Sequence, residues 1–289
     1  METAAQVRSL LSSPQKIIIT THQRPDGDAI GSSLGLLLYL RKKNHDVNFI
    51  SPTNYPDFLK WMPGNHNAII FENDASKSKQ LIEKAGLIFC LDFNKLNRLE
   101  ELGTWIEKSP AIKILIDHHL EPDAFAVHQF WNPKSSSTSE LVYDFILTMG
   151  DEELIDVAIA TCLYSGILTD TDRFRVPTTS PAVHRIIADL MEYNIDHTDI
   201  YQQLYETFSE NRLRFLGYCI REKLEVIPDL HCGIIALENQ DLNRFMPISL
   251  TTTNRLRPGV GPDAPRTPIA AQGGAVTRSR LNAGSALVY

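Results

Sequence analysis

The stretch Lys16–Leu40, KIIITTHQRPDGDAIGSSLGLLLYL, decides the architecture. It opens on a β-branched, nearly unbroken apolar run, Lys16–Thr20, of the kind found in strands covered on both faces. A polar loop, Thr21–Asp28, follows, and then an apolar run from Ala29 to Leu40 that is long enough for a helix. The same alternation recurs downstream. Asp46–Ile50 predicts a second strand, and Gly86–Leu91 (GLIFCL) and Ala111–Ile116 (AIKILI) predict two buried ones, each running into an aspartate. Helical segments such as Lys77–Lys84 intervene, so the first half predicts an α/β fold with a parallel sheet and crossover helices.

From about Ser137 the pattern becomes mainly helical, over Glu140–Met149, Glu152–Leu168, Pro181–Tyr193 and Thr198–Thr207. Asn211–Ile227 predicts one long helix leading to a strand at Cys232–Leu237, which would open a second, smaller α/β domain. The expected division is a metal-binding domain over 1–195, a helical linker over 196–227 and a smaller, partial domain over 228–289. Beyond Met246 the chain turns to Pro, Gly, Thr and Arg; the last lysine is Lys223 and the last glutamate Glu238. On composition this tail, from about residue 247, reads as irregular.

The 289 residues suit two domains, and 43% hydrophobic with 22% charged residues is the balance of a globular chain. The net charge of -7 argues against a protein that coats polyanions, though not against a local basic pocket for a small phosphorylated ligand. Cys90, Cys162, Cys219 and Cys232 are scattered without a CxxC pair, which disfavours a zinc knuckle or redox motif. No apolar run approaches the ~20 residues of a membrane span, and no secretory leader is evident at the N-terminus, so a cytoplasmic location is expected.

Four segments carry chemistry. In Thr21–Ala29 (THQRPDGDA) a histidine and two aspartates sit where a strand ends, the place at which open α/β sheets hold ligands. Read alone, Asp26-Gly27-Asp28 serves equally as a turn with a helix cap or as half of a metal site. Asp92 closes the second buried run, and an aspartate there is also an ordinary turn residue. Asp117-His118-His119, directly after a buried strand, is rarer, because three consecutive polar groups must each find partners. In Ser165–Asp172 a small-residue helix runs into acid; a carboxylate at Asp170 opposes the helix dipole and calls for a compensating cation. Together the segments supply carboxylates and imidazoles without thiolates, a set that suits Mn²⁺ or Mg²⁺. Six potential ligands exceed one tetrahedral ion and suit a pair of ions ~3.5–4 Å apart.

In this order the four segments resemble motifs I–IV of the DHH phosphoesterases, and Asp117-His118-His119 is the signature behind that name. The resemblance covers roughly residues 15–180 closely and the helices to about 240 more loosely. It implies that His22 and Asp26 hold one metal, that Asp28, His118 and Asp170 hold the second, and that Asp92 bridges them. It further implies two Mn²⁺ ions, with Mg²⁺ as a substitute, His119 facing the substrate phosphate and Asp117 orienting its neighbours. Ser135–Glu140 (SSSTSE) resembles a substrate-proximal family feature, with Ser136 and Ser137 as phosphate contacts; Ser137 with Glu140 also fits a helix capping box. Arg173 and Arg175 are candidate phosphate contacts or plain solvated cations.

Within the family, the first motif and the two-domain length most resemble the bacterial nanoRNase and pAp-phosphatase branch. The resemblance implies a hydrolase acting on short RNA oligonucleotides or 3′-phosphoadenosine 5′-phosphate, with no membrane partner and room for a homodimer. Cyclic-dinucleotide hydrolysis and a metal- or nucleotide-binding protein without turnover are the competing expectations. Members of that branch grip substrate with a DHHA1 domain bearing a Gly-Gly-Gly-His motif; here Gly273-Gly274-Ala275-Val276 carries no histidine. A frameshift or sequence error in the tail of an otherwise regular member is the expectation this raises.

Overall fold

A computed structural model describes residues 2–207, 210–245 and 285–288. The chain divides into two compact units, the first ending at Thr207. In chain order the first unit contains α1 (Glu2–Leu10), β1 (Lys16–Thr21), α2 (Gly27–Lys42), β2 (Asp46–Ser51), β3 (Ile69–Ile70), α3 (Ala75–Lys84), β4 (Leu87–Leu91), α4 (Glu101–Lys108) and β5 (Ile112–Asp117). It continues through β6 (His128–Trp131), α5 (Thr138–Met149), α6 (Val157–Asp170), α7 (Pro181–Glu192) and α8 (His197–Tyr201).

Six strands form one sheet in the order β3-β2-β1-β4-β5-β6, and every neighbouring pair is parallel. The order reverses between β1 and β4, which places a ligand crevice at the carboxyl ends of those two strands. Alternation within each strand divides the core between the two faces. Ile17, Ile19, Phe89, Leu91, Ile114 and Ile116 face one way, against Leu34, Val142, Phe145 and Leu163 of the helical layer. Ile18, Ile88, Cys90 and Leu115 face the other way, against Ile82, Leu102 and Ile106 of α3 and α4. Each such fully buried side chain contributes roughly 1.5–3 kcal/mol, so this central block dominates the stability of the unit.

Two helices meet unusually closely. A Cβ placed on Gly31 of α2 would lie 2.5 Å from the carbonyl oxygen of Cys162 and 2.9 Å from the backbone nitrogen of Gly166, both on α6. Glycine is therefore required for the backbones to approach, and the approach brings the first turn of α2 beside the last turn of α6. Asp26 caps α2 by accepting from the N–H groups of Asp28 and Ala29, and Asp156 caps α6 from Ala158 and Ile159.

Several elements depart from the sequence reading. The expected helix over 152–168 starts only at Val157 and continues to Asp170, which is its last residue. Asn211–Ile227 is not one helix. The second unit has α9 (Glu210–Tyr218), a wider turn at Cys219–Lys223, and then β7 (Leu224–Ile227), antiparallel to β8 (Cys232–Leu237). Pro228 disfavours a helical Ile227, and the β-branched pair before it completes a strand instead. The division between the compact units, after Thr207, falls within the span 196–227 expected to link the domains. After α10 (Asn239–Phe245), β9 (Ser285–Val288) pairs antiparallel with β8, a strand within the tail read as irregular. The remainder of that tail lies outside the described residues.

Candidate metal centre

The carboxyl ends of β1, β4 and β5 each deliver polar side chains to one place. His22 follows β1, Asp92 follows β4, and Asp117, His118 and His119 close β5. Asp28 comes from the first turn of α2 and Asp170 from the last residue of α6, joined by the close helix pair. Asp92 has φ 64°, a left-handed conformation that aspartate tolerates better than most residues.

The ligand atoms fall into two main groups, His22, Asp26 and Asp92 in one and Asp28, His118 and Asp170 in the other. Asp92, His118 and His119 form a third set that shares a residue with each, and within every set the atoms lie within 4.8 Å of one another. Asp92 stands between them. Its Oδ2 is 3.4 Å from His22 Nε2, and its Oδ1 is 3.5 Å from His118 Nε2. His22 Nε2 is 3.9 Å from Asp26, and His118 Nε2 is 3.4 Å from Asp170. These gaps are long for hydrogen bonds, as expected of groups that converge on a common ion.

Four features fit a pair of cations. His22 Nδ1 is 2.7 Å from the carbonyl of Gln23 and His118 Nδ1 is 3.2 Å from that of Ser135, so each ring donates from Nδ1 and presents Nε2. Asp28 and Asp92 are buried. Among the described residues, Asp92 and Asp170 form ion pairs with histidines and with neither lysine nor arginine. Among the described residues the ion-pair partners of Asp26, Asp92 and Asp170 are imidazoles, which leaves the four carboxylates with a negative excess that a divalent cation neutralises.

The protonation of this cluster reflects that excess. Burial and the charges of Asp92 and Asp170 push Asp28 well up, although it accepts from two N–H groups that favour the ionised form. Burial pushes Asp170 up to about 7. Burial opposes protonation of His118, but Asp92, Asp28 and Asp170 outweigh it and hold the ring at about 10. The same contest raises His22, whose strongest support is Asp92. Asp92 in turn is held below the ordinary carboxylate range: burial pushes it up, and His118 and His22 overcome that push. The imidazolium ions serve as counter-cations that a metal would displace as protons.

The family description "DHH family, N-terminal domain" matches residues 16–167, more than half of the chain. The chain belongs to the DHH family. Within that family it is 31% identical over 204 residues to the bifunctional oligoribonuclease and PAP phosphatase NrnA of Thermus thermophilus, covering 71% of this chain and 57% of the relative. The protein of the same name from Bacillus subtilis is 29% identical over 193 residues, covering 66% of this chain and 57% of the relative. The chain therefore spans a little over half the length of these two relatives. A crystal structure of an exopolyphosphatase-related protein from Bacteroides fragilis superposes with a TM-score of 0.81 at 39% identity, over 84% of this chain and 72% of that one.

The remaining candidates sit around the DHH cluster in different ways. Asp117 is fully buried, and its Oδ1 accepts from His119 Nδ1 at 2.8 Å. Trp131 Nε1 donates to the backbone carbonyl of His119 at 2.6 Å, which holds the main chain of that residue while Asp117 holds its ring. Ser137 and Ser136 are turned inward. Ser137 Oγ accepts from Glu140 N–H at 3.0 Å, and Glu140 accepts from both the N–H and the hydroxyl of Ser136. Ser137 thus caps α5 and Glu140 closes back on Ser136, one residue before the cap; the Ser136 hydroxyl spends its proton on Glu140, whereas that of Ser137 accepts and keeps its proton. Arg173 lies outside the ligand groups, paired with Asp172 at 2.8 Å and stacked on Tyr205 at 5.1 Å. Arg175 is exposed and lies 3.5 Å from Asp172. The segment Asp172-Arg173-Phe174 runs through three consecutive left-handed residues.

Sequence reasoning missed two contributors. The N–H groups of Thr138 and Ser139 donate to Asp28 at 2.6 and 2.9 Å, and the Thr138 hydroxyl donates to Asp92 at 3.0 Å. The hydroxyl-rich run SSSTSE was the available signal, but it reads as a capping box or as phosphate contacts at Ser136 and Ser137, neither of which points to Thr138 and Ser139 as partners of the carboxylates. A cavity of about 730 Å³ is lined by Asn97, Glu107, Lys113 and Phe125 among others, and by none of the residues of the candidate metal cluster. No helix among the described residues is long and apolar enough to cross a membrane.

Proposed function

We propose that the chain hydrolyses phosphoric esters with two divalent cations, Mn²⁺ foremost and Mg²⁺ in its place, and that its substrates are short oligoribonucleotides and 3′-phosphoadenosine 5′-phosphate. The observation that carries the reading is the placement of Asp92, with one carboxylate oxygen toward each ligand group. His22 and Asp26 would hold one cation, Asp28, His118 and Asp170 the other, and Asp92 both. When bound, such ions stabilise charge on the phosphoryl group and the leaving oxygen and lower the pKa of water.

The protein's own groups do the positioning. Asp117 holds His119 through Nδ1, which leaves Nε2 to contact a phosphoryl oxygen beside the cluster. His22 and His118, fixed through their Nδ1 atoms to backbone carbonyls, keep Nε2 toward the cluster without rotation. Arg173, braced by Asp172 and Tyr205, is a cation available to a second phosphate of a nucleotide substrate. The relatives' names, oligoribonuclease and PAP phosphatase, support this substrate class over pyrophosphate.

The test is an assay of purified protein with Mn²⁺ against pAp, a dinucleotide, a cyclic dinucleotide and pyrophosphate, with D92A alongside. Release of nucleotide or phosphate from the first two substrates, abolished in D92A, is expected. Equal activity in D92A would reject the bridging role, and preference for the cyclic dinucleotide would redirect the substrate assignment.

A further inference from the structure

The first turn of α5 touches two carboxylates of different ligand groups, and one residue makes both contacts. Thr138 is fully buried. Its N–H donates to Asp28 Oδ2 at 2.6 Å, and its hydroxyl donates to Asp92 Oδ1 at 3.0 Å. The turn that carries it is rigid, because Ser137 caps it and Glu140 ties Ser136 back to it.

A carboxylate on a short side chain is free to rotate about its last bond unless something holds it. At Asp92 the two oxygens have different surroundings. Oδ1 receives the Thr138 hydroxyl and looks toward His118, whereas Oδ2 looks toward His22. A neutral hydroxyl donating to an anion is a strong bond, and on Oδ1 it uses one lone pair while leaving the other toward His118. Rotation of the carboxylate would break that bond and turn an oxygen away from one ligand group.

We propose that Thr138 is a positioning residue of the metal centre, its hydroxyl fixing the rotation of the Asp92 carboxylate while its N–H fixes Asp28. The proposal rests on the two-metal reading given above. It sets the hydroxyl, rather than the shape of the side chain, as the functional element.

Valine keeps the shape of threonine without the hydroxyl, and serine keeps the hydroxyl without the methyl. The experiment compares wild type, T138V and T138S by calorimetric titration with Mn²⁺ and by electron paramagnetic resonance of the spin-coupled ion pair. Wild type should bind two ions and show the coupled signal. T138V should lose about 10–100-fold in affinity for at least one ion and lose the coupled signal at stoichiometric metal. T138S should retain both. Should T138V fail to fold, T138A against T138S makes the same comparison. Wild-type binding and spectrum in T138V, or equal impairment in T138S and T138V, would overturn the positioning role and leave the two-metal reading intact. A wild-type protein that binds fewer than two ions would overturn that reading and this proposal with it.

Discussion

Replacing Gly31 by alanine tests the helix contact that assembles the site. The new Cβ would lie 2.5 Å from the Cys162 carbonyl oxygen, against an ordinary contact beginning near 3.4 Å, so α2 and α6 must part by roughly 0.9 Å. Both nearest atoms, Cys162 O and Gly166 N, are backbone and cannot swing aside. Overpacking of this kind costs about 1–3 kcal/mol, with the upper end appropriate to a backbone clash. Alanine returns about 1 kcal/mol of helix propensity, leaving a net loss of about 2 kcal/mol. For a unit of this size that lowers the Tm by about 4–8 °C in a calorimetric scan. The same displacement separates Asp28 from Asp170, so Mn²⁺ binding should weaken as well. Gly35→Ala is the internal comparison: its Cβ meets the Leu163 Cδ2 atom at 2.7 Å, the end of a side chain that can shift, and its effect should be smaller. A G31A protein with the wild-type Tm and wild-type Mn²⁺ affinity would refute the reasoning.

Mn²⁺ at a hundredfold excess over Kd should raise stability by about 2.7 kcal/mol per site, seen as a Tm increase that D92A lacks. The gain should grow with pH. Asp170 is pushed up to about 7 and His118 to about 10, so both carry protons in the metal-free fold that a cation must displace. The sign for the metal-free protein is opposite. Asp170, raised above its ordinary 3.8, contributes stability below about pH 4 that is lost as pH rises through 7; His118 contributes stability below 6.5 that is lost toward 10. Thermal scans at a series of pH values, with and without Mn²⁺, check both directions; a gain that shrinks with rising pH would contradict them. Ser137→Ala removes the α5 cap and should cost about 1 kcal/mol in denaturant unfolding, with no loss expected if the cap is redundant. Arg173→Ala should raise KM for pAp more than it lowers kcat, read from initial rates at saturating Mn²⁺; a change confined to kcat would remove Arg173 from substrate binding.

The strands that place the site were legible because each is a continuous apolar run. Ile17–Thr20, Leu87–Leu91 and Ile114–Ile116 are buried on both faces, and Thr20 is the single polar residue within those spans. The ligand-type residues were legible for a related reason, since charged groups directly after such runs stand out. Short or half-exposed elements were not. β6, His-Gln-Phe-Trp at the sheet edge, has only one side covered, and β3 spans two residues. The helix expected over 211–227 failed because a helical spacing of Leu213, Leu216 and Ile220 runs straight into the strand at 224, and local periodicity does not register the proline beyond. Thr138 escaped notice because its role depends on two carboxylates 46 and 110 residues away in sequence, which only the folded chain brings to it.

The two ligand groups draw on four separate segments, from the loop after β1 to the end of α6. No two consecutive elements hold a complete group, so an unfolded or half-folded chain offers a cation nothing better than scattered carboxylates. On the proposed two-metal reading, metal capture is a late event, possible once the sheet has closed and α6 has docked on α2. Mn²⁺ should leave the refolding rate of this unit nearly unchanged while slowing its unfolding, because interactions absent from the transition state act on the unfolding limb. A chelator would accordingly shorten the lifetime of the folded protein without hindering its formation.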